Sequence, residues 1–256
     1  MAYFITGGTG FIGRFFIDKL KEREGDIYVL TRAGSREKFE ALQERFGADN
    51  DRLIPVEGDL RQPLLGLDEA TIADLRGKVR HFCHFAAIYD LAASAEEQVK
   101  TNIDGTRNAV QLAHALQAGC FQHVSSIAAG GLYHGTFRED MFEEAENVEH
   151  PYFRTKHDSE GIVRNECEVP WRIYRPAMVV GHSRTGEIDK IDGAYYFFKT
   201  IQKLRKVLPP WFPLVGIEGG KFNGVPVDYV VDAMDHIAHK ENLDGQCFHL
   251  TDPEHH

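Results

Sequence analysis

The run Tyr3-Phe4-Ile5-Thr6-Gly7-Gly8-Thr9-Gly10-Phe11-Ile12-Gly13 constrains this chain more than any other segment. Apolar residues 3 to 5 predict a buried strand, and apolar residues recur at helical spacing from Gly10 to Glu22, so the glycines fall at a strand-to-helix turn. There Gly7 permits the tight turn, Gly10 lets the backbone approach a pyrophosphate, and Gly13 lets the helix pack close to the sheet. The unpaired N–H groups and dipole of the helix start then favour an anion. Far downstream stands a Tyr-x-x-x-Lys pair, Tyr152 and Lys156. Turn and pair together point to a nicotinamide enzyme.

The rest of the chain reads as alternating elements. Strands are predicted at Asp26 to Leu30, Leu53 to Glu57, Val79 to His84, Phe121 to Ser125, Trp171 to Tyr174 and Gln246 to Leu250. Helices are predicted near Ser35 to Phe46, Ala95 to Gln117, Tyr152 to Glu166 and Asp228 to Lys240. Such alternation implies right-handed crossovers and a doubly wound parallel α/β sheet of the Rossmann kind. Ligands in such sheets lie beyond the carboxyl ends of the strands, where Gly7, Arg32, Asp59, Ala86, Ser126 and Pro176 all fall. The rhythm breaks over residues 181–226, which hold Pro209, Pro210, Pro213 and Pro226 and read as a small substrate-side insertion. The expected organisation is a Rossmann domain over 1–180, that insertion, and a return to the core over 227–256.

At 256 residues one large α/β domain can bury a substantial core. A net charge of −10 argues against nucleic-acid binding, and no basic stripe opposes that reading. Cys83, Cys120, Cys167 and Cys247 are scattered without C-x-x-C spacing, which suggests neither a metal site nor a disulfide framework and fits a cytoplasmic setting. No apolar run approaches the roughly 18 residues of a membrane span, and no signal peptide is evident.

Cofactor preference is read at the end of the second strand. An acid there would bind the adenosine ribose of NAD, but this chain has Thr31 and Arg32, with Arg36 one helical turn further. A guanidinium pairs with a 2′-phosphate, which points to NADPH. Asp59, in Gly58-Asp59-Leu60, suits a hydrogen bond to the adenine amino group. Tyr152 and Lys156 share a helix face, and the ammonium is expected to favour ionisation of the phenol. Ser126 is expected at the substrate oxygen, with Ser125 pointing the opposite way.

The segments Thr6 to Gly13, Gly58-Asp59-Leu60, His84-Phe85-Ala86-Ala87, Val124-Ser125-Ser126 and Tyr152-x-x-x-Lys156 give a chain that resembles the extended short-chain dehydrogenase/reductase family over nearly its whole length. The stretch Tyr174-Arg175-Pro176-Ala177-Met178-Val179-Val180-Gly181-His182-Ser183-Arg184-Thr185-Gly186 is similar to the thioester-reducing branch, above all to the N-terminal reductase domain of bacterial fatty acyl-CoA reductases. That resemblance implies catalytic Ser126, Tyr152 and Lys156. It implies a cofactor site drawn from Thr6, Gly7, Gly10, Phe11, Ile12, Gly13, Arg32, Arg36, Asp59, Leu60, Ala86, Ala87, Asn102, Tyr152, Lys156, Pro176, Ala177 and Val179, with Lys156 on the nicotinamide ribose and Asn102 supporting it. The implied reaction is NADPH-dependent reduction of an acyl-CoA or acyl-carrier thioester to the aldehyde, or onward to the alcohol. In those enzymes a second reductase domain follows, which makes this chain a fragment or a single-domain relative. An aldehyde or ketone reductase uses the same Ser, Tyr and Lys and stays open. Arg32 argues against a nucleotide-sugar epimerase or dehydratase, and a non-catalytic NADPH sensor would not need the Tyr-Lys pair.

Between Ala194 and Leu208, Phe197, Ile201, Leu204 and Leu208 recur at helical spacing beside Lys199, Lys203, Arg205 and Lys206. This basic aromatic helix reads either as a solvated face, as a receiver of the anionic acyl carrier, or as a transient contact with a membrane surface.

Overall fold

The computed structural model describes residues 2–47, 51–87, 99–188, 203, 205, 206 and 223–253. Its strands are β1 (Ala2–Thr6), β2 (Asp26–Thr31), β3 (Leu53–Glu57), β4 (Val79–His84), β5 (Cys120–Val124), β6 (Trp171–Pro176), β7 (Met178–Val180), β8 (Gly224–Pro226) and β9 (Gln246–Leu250). The helices are α1 (Phe11–Lys19), α2 (Arg36–Phe46), α3 (Glu69–Leu75), α4 (Gly105–Ala115), α5 (Pro151–Glu166) and α6 (Val227–His239). Seven strands form one sheet in the order β3-β2-β1-β4-β5-β6-β9, and every neighbouring pair is parallel.

Parallel strands covered on both faces read as continuous apolar runs, and β1 is buried at all five residues. Its side chains divide by alternation. Tyr3 and Ile5 join Phe16 and Ile17 of α1 with Val230, Val231 and Met234 of α6, while Phe4 joins the opposite core with Val110, Ala113, Ile162 and Val163. Across that second face Phe4, Phe82 and Phe121 stack from β1 to β4 to β5, with centroids 4.9 and 5.2 Å apart. Each is fully buried and contributes about 2 kcal/mol through area removed from water.

The strand order reverses between β1 and β4, which opens a crevice beyond their carboxyl ends. The glycine turn lies on one side of it and Ala86-Ala87 on the other.

Several elements differ from the sequence expectation. Sequence reading gave no helix at Glu69–Leu75, which is only seven residues long and is capped by Asp68 accepting from the Thr71 N–H at 2.7 Å. The long helix predicted over 95–117 is divided here into a π-helical turn at Val99–Asp104 followed by α4, and residues 95–98 lie outside the described residues. Of the expected insertion, Gly224–Pro226 pairs in parallel with Met178–Val180, and residues 189–202, 204 and 207–222 lie outside the described residues. Of the basic aromatic helix, Lys203, Arg205 and Lys206 are helical and exposed, while Phe197, Lys199, Ile201, Leu204 and Leu208 lie outside the described residues. So do Pro209, Pro210 and Pro213.

Candidate active site

The glycine turn is built as a close contact. Gly7 has φ +72°, and a Cβ there would come within 2.6 Å of the Ala86 nitrogen, so the turn can press against the end of β4 only with glycine. A Cβ on Gly13 would overlap the Gly7 carbonyl. Gly10, which has no side chain to cap α1, donates its N–H to the Gly7 carbonyl at 3.0 Å. The first N–H groups of α1, from Phe11 and Ile12 onward, thus start beside a turn with no capping carboxylate or hydroxyl, as a phosphate site requires.

Next to this turn, β2 delivers Arg32. With Gly58 and Asp59 it lines a groove of about 850 Å³ that runs along Tyr28, Val56 and Thr71. Asp59 is held by Arg61, with Nη2 to Oδ2 at 2.5 Å and the Arg61 N–H to Oδ1 at 2.9 Å, and that pairing pulls its carboxyl down to about 2. Leu60 accepts a hydrogen bond from Asn108 at its carbonyl, 2.8 Å away. Arg36 does not share the groove. It lies exposed on the first turn of α2 and pairs with Glu40 at 2.9 Å.

The two serines after β5 point apart. Ser125 is buried and donates to Glu160 at 2.7 Å. Ser126 accepts from the Ala128 N–H at 3.1 Å, and its hydroxyl acts on the Tyr152 phenol. Tyr152 and Lys156 lie one turn apart on α5, where Pro151 occupies the first position and His150 caps the helix through the Tyr152 N–H.

Electrostatics at the pair differ from the expectation. Burial pushes the Tyr152 phenol up, and the Ser126 hydroxyl opposes it. Lys156 is 6% exposed, and burial lowers its ammonium to about 8, against the pull of Glu160 one turn further on. Glu160 is itself fully buried, accepting from Arg175 at 2.6 and 3.0 Å and from Arg164 at 2.9 Å.

Asn102 is buried in the π-helical turn and donates to the Thr155 hydroxyl at 3.4 Å. Pro176 closes β6, the Ala177 N–H donates to Leu250 at 3.0 Å, and Val179 pairs with Val225. His84, to which sequence reading gave no role, is completely buried and bonded at both ring nitrogens, to Thr6 at 2.7 Å and Thr106 at 3.1 Å. Only its place beside Ala86-Ala87 could have drawn attention to it.

Among the described residues no helix is long and apolar enough to cross a membrane. Residues 5–234 match the family described as Male sterility protein. A linear gramicidin synthase of Brevibacillus parabrevis is 30% identical over 271 residues, covering 98% of this chain and 5% of that protein. A fatty acyl-CoA reductase-type protein of Drosophila melanogaster, CG8303, is 24% identical over 286 residues, covering 90% of this chain and 50% of its own length. The terminal R domain from the myxalamid PKS-NRPS biosynthetic pathway superposes with a TM-score of 0.86 at 27% identity, over 99% of this chain and 66% of that one. The chain thus spans half or less of the two curated relatives. With a family match over most of its length on a seven-stranded parallel sheet, the chain belongs to the Male sterility protein family of NAD(P)-binding, extended short-chain dehydrogenase/reductase domains.

Proposed function

We propose that this chain reduces an acyl thioester, carried on coenzyme A or on a carrier protein, to the aldehyde with NADPH. The observation that carries the reading is the Tyr152 and Lys156 pair one turn apart on α5, with Lys156 buried and Ser126 acting on the Tyr152 phenol, in a chain similar to a terminal R domain and to a fatty acyl-CoA reductase-type protein.

The residues fit the cofactor. Gly7 and Gly13 let the turn close tightly against Ala86 and the start of α1, that start has no side-chain cap, and Arg32 supplies the cation for a 2′-phosphate. Lys156 would hold the nicotinamide ribose. When bound, the dihydronicotinamide supplies a hydride to the thioester carbonyl carbon. Tyr152 and Ser126 then donate hydrogen bonds to the carbonyl oxygen as it gains charge, a role of the kind that contributes about two to three orders of magnitude in rate. Because the phenol is held above its ordinary value, Tyr152 keeps its proton at neutral pH and is a donor rather than a base at the start. Expulsion of the thiolate, which takes up a proton, leaves the aldehyde. The same oxygen-binding pair serves a second reduction to the alcohol.

The test follows NADPH oxidation with a long-chain acyl-CoA beside the matching aldehyde and a UDP-sugar, with free thiol measured in parallel. Thiol released with NADPH loss is expected, at one NADPH per thiol for the aldehyde or two for the alcohol. Turnover of the aldehyde alone would make the chain a carbonyl reductase instead.

A further inference from the structure

His84 is hydrogen-bonded between two hydroxyls, and following those bonds outward leads across the floor of the crevice. The Ala86 N–H donates to the Thr6 hydroxyl oxygen at 3.5 Å, and Thr6 Oγ1 meets His84 Nδ1 at 2.7 Å. His84 Nε2 meets Thr106 Oγ1 at 3.1 Å, and Thr106 donates to the Asn102 carbonyl at 2.6 Å. The Asn102 side-chain amide donates to Thr155 at 3.4 Å, and Thr155 donates to the Tyr152 carbonyl at 3.2 Å.

The proton positions in this chain are determined. Thr106 has one hydroxyl proton, and it goes to Asn102, so the Thr106 oxygen must accept from His84 Nε2–H. His84 Nδ1 is then the acceptor and takes the Thr6 proton, while the Thr6 oxygen accepts from Ala86. A cationic His84 would aim an N–H at Thr6 and leave the Thr6 proton without its acceptor. Burial first, then the neighbouring His123 ring and the Lys156 ammonium, disfavour a cationic His84.

We propose that His84 is a positioning residue, fixed as its Nε2–H tautomer, that ties the glycine turn to the helix carrying Tyr152 through a one-directional path of hydrogen bonds relayed by Asn102. The inference rests on the reading that Tyr152 donates to the substrate oxygen. Turn and helix lie far apart in the sequence, yet the reacting atoms they hold must meet within a fraction of an ångström. An imidazole suits the span because it offers a donor on one edge and an acceptor on the other. Its neighbour His123 makes the contrast. The two rings stack with centroids 5.6 Å apart and 14° between planes, but neither His123 nitrogen has a hydrogen-bond partner among the described residues.

Two measurements on the full chain test this. In ¹⁵N-histidine NMR spectra, with His84→Gln used to assign the signal, His84 is expected as a neutral Nε2–H ring from pH 5.5 to 8.5; an Nδ1–H tautomer or a cation overturns the proposal. In a double-mutant cycle, Thr6→Val and Thr155→Val should each lower kcat about tenfold, as loss of one buried hydrogen bond does. Together they should do no worse than the weaker single variant, within about twofold. A double variant about a hundredfold down, the product of the two, overturns the coupling. If the wild type reduces no thioester, the functional reading fails, and the cycle is scored with the same criterion on NADPH affinity while the tautomer measurement stands unchanged.

Discussion

Between pH 7 and pH 9, kcat/KM for NADPH is expected to fall about tenfold while the fold grows no weaker from the same titration, because Lys156 acts on the two in opposite directions. Its ammonium is buried, and burial lowers it from the ordinary 10.5 to about 8. With that value about nine-tenths of the lysine is charged at pH 7 and about one-tenth at pH 9, and kcat/KM reports the free enzyme. Tyr152, held above 10, keeps its proton over this range and does not confuse the limb. For stability the sign reverses. The unfolded chain keeps the lysine proton up to 10.5 and the folded chain only to about 8, so between those values the unfolded state binds more protons and the Lys156 contribution to stability rises with pH. That contribution amounts to roughly 3 kcal/mol at about 1.4 kcal/mol per tenfold change. Initial rates of NADPH oxidation from pH 6 to 10.5, with urea unfolding of wild type and Lys156→Met at each pH, separate the two effects. The methionine variant should be the more stable at pH 7, by up to that amount, and the difference should vanish near pH 10.5. A rate that holds to pH 10, or an alkaline limb that coincides with unfolding, would refute the reasoning. Glu160→Gln removes the charge that supports the ammonium and should move the limb to lower pH.

Arg32→Ala should raise the KM for NADPH by about tenfold to a hundredfold, the range for losing a hydrogen bond to a charged group, and leave that for NADH nearly unchanged; equal effects on both would remove Arg32 from the 2′-phosphate. His123→Phe keeps the ring stacked on His84 but deletes two buried nitrogens without partners among the described residues. It should therefore stabilise the chain by about 1–3 kcal/mol. Thermal unfolding followed by circular dichroism checks this, and a lowered Tm would mean that those nitrogens are satisfied in solution.

The strands were legible where apolar runs ended sharply. Leu53–Glu57, Val79–His84 and Gln246–Leu250 have the bounds that their residues suggest, although β3 and β9 are the edges of the sheet and only partly buried. The glycine turn was legible because the close approach of Gly7 to Ala86 admits no other residue. Short elements held by tertiary contact were not. The seven residues of α3 show one turn of pattern, and β7 pairs with a strand more than forty residues away. In the site, alternation along a strand separated Ser126 from Ser125, but spacing alone could not give the balance of burial and charge at Tyr152. His84 was given no role for another reason: its partners Thr6 and Thr106 lie 78 and 22 residues from it, and the register of β1 against β4 brings Thr6 to the ring while α4 brings Thr106.

The strand order also sets a timetable for synthesis. Of the strands in the large sheet β1 is made first and sits inside it; β2 and β3 extend one side outward, then β4 takes the free edge of β1 and β5, β6 and β9 extend the other. Each strand therefore leaves the ribosome to find an open edge already waiting, with no need to insert between two partners. The glycine turn is complete by Gly13, but Lys156 follows only after roughly 10–30 s of translation. Over that interval β1, β2 and β3 can assemble as a half-sheet, so the wall that holds the turn precedes the wall that holds the tyrosine and lysine. Until Gln246–Leu250 arrives, β6 is the growing edge, and Arg175 waits there for His249, one of its partners.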